Sequence, residues 1–200
     1  MMVDCNDIVL YLDTHYDYKN TISNLAQNPK VLTDTIVYDY DKIKERIGRG
    51  CRSVDALLIK RNLNLIEFKT GFAHVEDSVN ERLKKENMAL SIRIKAYESL
   101  HILQTAIIDE ISNSVGLSPN IKKVFCAVID TNEQVVADEV YVDLLSDEGG
   151  VRENKSWKVA IAENVMSLYR KESNSHRKLF YDDAFVLYDY EFDERFGSFK

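Results

Sequence analysis

Chain breakers are scarce here: seven glycines and two prolines in 200 residues. With no Pro/Gly-rich linker, internal repeat or low-complexity tract to divide it, the sequence reads as a single domain over residues 1–200. Its 45% hydrophobic content is enough for a core without covalent or metal staples. Cysteine is equally sparse. Cys5, Cys51 and Cys126 are odd in number, far apart and without a C-x-x-C pair, which argues against a disulfide framework and a thiolate zinc site and fits a reduced compartment. The four histidines, His15, His74, His101 and His176, show neither ligand nor triad spacing. Long apolar runs are also missing. None approaches the roughly 18 residues of a membrane span, and the opening MMVDCNDIVLYLDTHY lacks a basic region ahead of an apolar core. The expectation is a cytoplasmic protein, neither secreted nor inserted in a membrane.

Positive charge is not in surplus. A net charge of -7 excludes a protein that coats nucleic acid indiscriminately, because such binding runs on excess Lys and Arg facing phosphates. The charge is segregated, however. Residues 41–61 hold seven basic side chains (Lys42, Lys44, Arg46, Arg49, Arg52, Lys60, Arg61) against three acids, whereas residues 182–195 hold six acids and only Arg195. The acidic stretch is a candidate mask for the basic one, or a surface for a protein partner.

The pattern along the chain predicts a short helix around residues 21–28, then Thr35–Asp41 as a strand or as the lead into a helix over Asp41–Ile47. Val54–Ile59 and Leu63–Lys69 read as a hairpin. Ser78-x-x-Glu81 is a capping-box pattern opening a helical stretch toward Gly116, with Pro119 as a stop signal. Its length suggests a break near residues 86–90, beyond which Ile92, Ala96, Ser99, Leu103 and Ile107 share a face. Lys123–Asp130 is a continuous apolar strand, Trp157, Ile161, Val165 and Leu168 repeat at helical spacing, and Phe185–Asp189 is a final strand. The fold class expected is α/β: a mixed central sheet flanked by helices, with an antiparallel hairpin at one side.

The hairpin carries the charges that need explaining. Glu-x-Lys occurs twice, but Glu153-Asn154-Lys155 follows two glycines in a polar stretch and reads as a solvated loop. Glu67-Phe68-Lys69 ends a strand, where residues two apart project from the same face. A two-residue turn would pair Asp55 with Phe68 and separate the charges. A three-residue loop, Lys60-Arg61-Asn62, pairs Ile59 with Leu63, Leu57 with Leu65 and Asp55 with Glu67, so the charges share a face and Val54, Ala56, Ile66 and Phe68 form the other. Asn62 also tolerates the left-handed conformation that such loops favour, and this register is preferred. Opposed carboxylates repel, and hard oxygen ligands without His or Cys suit Mg²⁺ or Mn²⁺. The competing reading is an ordinary salt bridge of Asp55 with Lys69 or Arg52.

S53-V-D-A-L-L-I59 followed by L65-I-E-F-K-T-G71 resembles the PD-(D/E)XK nuclease superfamily, closely over about twenty residues and loosely over most of the chain. The resemblance implies a restriction-endonuclease-like fold with the active site on the hairpin. It makes Asp55 and Glu67 metal ligands, adds the Phe68 carbonyl as a further ligand, and gives Lys69 a part in activating water. Val54 stands where the pattern has proline. On the following helix the resemblance offers Lys95 as a further catalytic side chain, against the plain alternative of a lysine snorkelling beside the apolar stripe. Glu45 is the candidate for an additional acid from an N-terminal helix.

The expected function is therefore a Mg²⁺-dependent nuclease acting on nucleic acid, DNA by preference, with Arg46, Arg49, Arg52 and Arg61 as phosphate contacts or, one by one, as solvated charges. A non-catalytic interaction or regulatory protein keeping the fold is the alternative, and a hydrolase of small phosphate compounds a third. Oligomeric state is left open.

Overall fold

The computed structural model describes residues 2–47, 50–71, 79–113, 116–131 and 181–196, with the backbone only at 79–86 and 89. Six strands form a mixed sheet in chain order: β1 (Lys19–Thr21), β2 (Ile36–Asp39), β3 (Ala56–Ile59), β4 (Leu63–Lys69), β5 (Lys123–Ile129) and β6 (Asp183–Tyr188). Neighbours from β1 to β4 run antiparallel, and β5 and β6 continue parallel to β4. The helices are α1 (Cys5–His15), α2 (Ile22–Ala26), α3 (Tyr40–Ile47), α4 (Val79–Ile102), α5 (Asp109–Ser112) and α6 (Asp189–Phe196), with a π-helical segment at Leu103–Ile108.

Strand alternation divides the buried side chains into two cores. Leu57, Leu65, Phe125, Ala127, Ile129 and Tyr188 face α4 and α1, meeting Ile92, Ala96, Leu103 and Ile107 from the long helical stretch and Ile8 and Leu12 from α1. Ala56, Leu58, Ile66, Phe68, Cys126 and Val128 face α2 and α6, where the Phe192 ring stands edge-on to Phe68 with centroids 5.4 Å apart. β4 and β5 are therefore covered on both sides, which the continuous apolar sequence of β5 anticipated. Among the described residues no helix is long and apolar enough to cross a membrane.

The hairpin register is the one preferred from the sequence: Ile59 pairs with Leu63, Leu57 with Leu65 and Ala56 with Ile66. Several expectations need correction. The hairpin is central, because β2 and β1 extend the sheet beyond β3. Asn62 does not adopt a positive φ; the described non-glycine residues that do are Asp17, Gln27 and Asn113. Its side chain instead accepts a hydrogen bond from the Lys122 backbone at 3.2 Å, so the loop is held by a tie to the lead into β5. Val54 joins the core under α4 and not the opposite face, since β3 begins only at Ala56 and strand alternation does not reach it.

No break occurs near residues 86–90. α4 runs unbroken to Ile102, for that segment holds neither Gly nor Pro and length alone does not end a helix. The irregularity falls later, in the π-helical turns, and the helical path ends at Ser112 with left-handed Asn113. Both alternatives for residues 35–47 are realised in succession, as β2 and then α3. α1 and β1 were not foreseen, although Asp4 and Asp7 form a reciprocal capping box ahead of Ile8 and Leu12. The Ser78 cap, the helix expected around Trp157–Leu168 and the Glu153–Lys155 copy lie outside the described residues.

Candidate active site

Asp55 sits one residue before β3 and is held on three sides. Its backbone N–H donates to the Ile66 carbonyl at 3.1 Å, its carbonyl accepts from the Tyr40 N–H at 3.0 Å, and its Oδ2 accepts from the Phe68 N–H at 2.7 Å. The backbone of Phe68 thus faces the β3 side, beyond that strand's first residue, and its carbonyl shares this edge because N–H and C=O of one strand residue point the same way. The loop ahead of Asp55 is pinned to α4, where the buried Ser99 hydroxyl accepts from the Val54 N–H at 2.8 Å.

Glu67 and Lys69 project from the same face of β4, toward α4, where Lys95 meets them. The side chains form one cluster. Lys95 Nζ lies 2.9 Å from each Glu67 oxygen and 3.5 Å from Asp55 Oδ1, and Lys69 Nζ lies 3.2 Å from Glu67 Oε1. Glu67 is wholly buried, while Asp55, Lys95 and Lys69 keep 20%, 19% and 26% of their side chains exposed. Lys95 is one position off the buried Ala96, so it lies at the edge of the stripe and points inward rather than snorkelling away from it. The ion-pair partner of Asp55 is Lys95, not Lys69 or Arg52.

Burial is the main cause of the site's electrostatics. It raises the Asp55 carboxyl above its ordinary value, against the attraction of Lys95 and the Phe68 hydrogen bond. It raises Glu67 to about 7, helped by repulsion from Asp55 and opposed by both lysines. Burial alone would lower the Lys95 ammonium, but Glu67 and Asp55 outweigh it and hold it above the usual lysine value.

Glu67 Oε1 is fully buried with the Lys95 and Lys69 ammonium groups 2.9 and 3.2 Å away, and among the described residues no donor is angled to hydrogen-bond it. Two neighbouring carboxylates, one with an oxygen held by charge and not by an aligned hydrogen bond, offer the hard oxygens that suit a small divalent cation. Among the described residues no group of three or more His, Cys, Asp or Glu side chains surrounds one point. The rest of a coordination shell would have to come from the Phe68 carbonyl, solvent or substrate.

Of the acids on α3, Asp41 and not Glu45 lies toward the cluster. Glu45 is exposed on α3, whereas Asp41, four residues earlier, accepts a hydrogen bond from the Ser53 hydroxyl and acts electrostatically on both Asp55 and Lys95. Ser53 is the signal that would have found it, since a buried hydroxyl two residues before Asp55 needs a partner. The described arginines have different surroundings. Arg52 is exposed near Asp55, with its backbone N–H donating to the Glu98 carboxylate of α4. Arg46 lies over the Tyr16 ring at 5.9 Å, and Arg61 is exposed at the hairpin tip, roughly 15 Å from Asp55 by the rise of a strand. Arg49 lies outside the described residues. His15 donates from Nδ1 to the Tyr11 carbonyl at 2.8 Å and stacks on the Tyr11 ring, an ordinary helix-end arrangement.

Comparison with family models, with curated proteins and with solved structures gives no match to this chain.

Proposed function

We propose that this chain is a Mg²⁺- or Mn²⁺-dependent nuclease of the PD-(D/E)XK superfamily, with a restriction-endonuclease-like fold whose central hairpin carries the active site, and that it hydrolyses phosphodiester bonds of DNA. The observation that carries the reading is the convergence of Asp55, Glu67, Lys69 and Lys95 on one face at the open end of the hairpin. A bound dication would supply a Lewis acid for a phosphate oxygen and a more acidic water.

Asp55 and Glu67, with the Phe68 carbonyl, would hold that ion. Lys69, the most exposed of the cluster, would as an ammonium orient the attacking water by hydrogen bonding and offset charge building on phosphorus. Arg52, three residues before Asp55 in the chain, is the nearest candidate for gripping the backbone, and Arg46, Arg49 and Arg61 are the further candidates from the sequence. Incubation with plasmid DNA, linear DNA and RNA in Mg²⁺ or Mn²⁺ tests the reading. Cleavage of DNA is expected, at least about a hundredfold slower with Lys69→Ala, in line with loss of an activating group. Cleavage that survives this substitution assigns the activity elsewhere.

One observation favours a second reading, a non-catalytic interaction protein. Two lysines already balance two carboxylates, which a site kept only for stability would require. That reading predicts no cleavage with either ion and loss of stability as the whole effect of Lys69→Ala.

A further inference from the structure

Lys95 touches three carboxylate oxygens of the two acidic residues: both of Glu67 at 2.9 Å and Asp55 Oδ1 at 3.5 Å. No other described cation pairs with both residues, since Lys69 pairs with Glu67 at 3.2 Å and not with Asp55. The ammonium therefore stands in the wedge between the carboxylates. A magnesium-sized ion binds carboxylate oxygens at about 2.0–2.1 Å and would need the same wedge, which an ammonium at hydrogen-bond distance already fills.

We propose that Lys95 is the resident counter-ion of this site, occupying the place a divalent cation must take, so that ion entry requires the lysine to withdraw and Lys95 sets the metal affinity. This rests on the metal-dependent reading above and deepens it. The physical balance is an exchange. With Lys95 in place the cluster is neutral and Glu67 Oε1 stays without a hydrogen bond; with a dication in place that oxygen gains a ligand and the ammonium must move. The lysine has room to do so, because part of its side chain is exposed and its four-carbon stem can re-aim the charge without moving α4. Lys69 need not move, since it does not touch Asp55 through an ion pair, and it stays available beside the site.

The test is Mn²⁺ binding by isothermal titration calorimetry, without nucleic acid, on the parent, Lys95→Met, Lys95→Gln, Lys95→Arg and Asp55→Asn, each checked for folding by circular dichroism. The two neutral substitutions should bind Mn²⁺ about tenfold more tightly or better, as removal of a competing charge at this range implies. Lys95→Arg, which keeps a cation, should bind no more tightly than the parent, and Asp55→Asn should lose binding. If one neutral variant fails to fold, the other carries the comparison. Parent binding that needs Asp55 but is unchanged or weakened in the neutral variants overturns the counter-ion role and leaves the metal site standing. Absence of Mn²⁺ binding in the parent and in both neutral variants, or binding indifferent to Asp55, overturns both.

Discussion

Ser99 shows how a single side chain on an apolar stripe can serve the site. Its hydroxyl accepts the buried Val54 N–H and its carbonyl accepts the Tyr40 hydroxyl at 3.1 Å, so α4 is fastened to the residue preceding Asp55 and to the start of α3. Ser99→Ala strands a buried backbone donor and should cost about 1–3 kcal/mol in urea denaturation. A second residue, Asp13, gives a pH signature away from the site. Its hydrogen bonds with Lys19 at 2.7 Å and with the Tyr38 hydroxyl at 2.5 Å hold its carboxyl below the ordinary 3.8. A lowered acid contributes stability above its unfolded value and loses it as pH falls through the folded one. Asp13→Asn should therefore destabilise at neutral pH, by under about 1 kcal/mol because the pair is exposed to solvent, and match the parent in a series of urea midpoints carried below the lowered value.

At the scale of elements, the C-terminal acids prove to be builders of the fold. Asp182 accepts from the Lys123 N–H, Asp183 from Ala184, Asp189 from Thr131 and Tyr190, Glu191 from Tyr188, and Asp193 from Leu32 and Thr33. β6 and α6 thereby secure the end of β5 and the segment ahead of β2. Deleting 182–195 should abolish the far-UV signature of the folded chain, because it removes a strand and the Phe192 cover of one core, and no gain in nucleic-acid affinity by a folded protein should follow. The same scale shows why some elements were readable. A strand end with period-two charges and a turn of countable length determine a register, and the Ile92–Ile107 stripe determines a buried face. Whether Lys95 turns in or out was undecidable from a stripe edge, and knowing that Asp41 lies closer to the cluster than Glu45 required knowing where α3 meets Ser53.

Across the whole molecule, the two cores share a sheet, with alternate residues of β4 and β5 committed to opposite sides. Neither core can lose its packing without exposing strands that the other needs. Urea unfolding followed by far-UV circular dichroism and by tyrosine absorbance should give one coincident transition, and two separated transitions would show that the helical layers are independent. The net charge of -7 belongs to this scale too. It leaves any grip on nucleic acid to a local cluster, so measured affinity should fall steeply when salt screens that cluster.

Taken alone, the sequence determined which charges share a face: Asp55, Glu67 and Lys69 were bound together by strand periodicity and a three-residue loop, both local rules of covalent geometry. It likewise determined the buried stripe and the apolar strand β5. The tertiary structure alone decided what neutralises those charges. Lys95 comes from a helix separated from the hairpin in the chain, and its ammonium enters the wedge only because α4 packs across β4, with Ser99 holding the Asp55 loop against it. Distances between elements arise from packing, and a linear pattern contains no record of them.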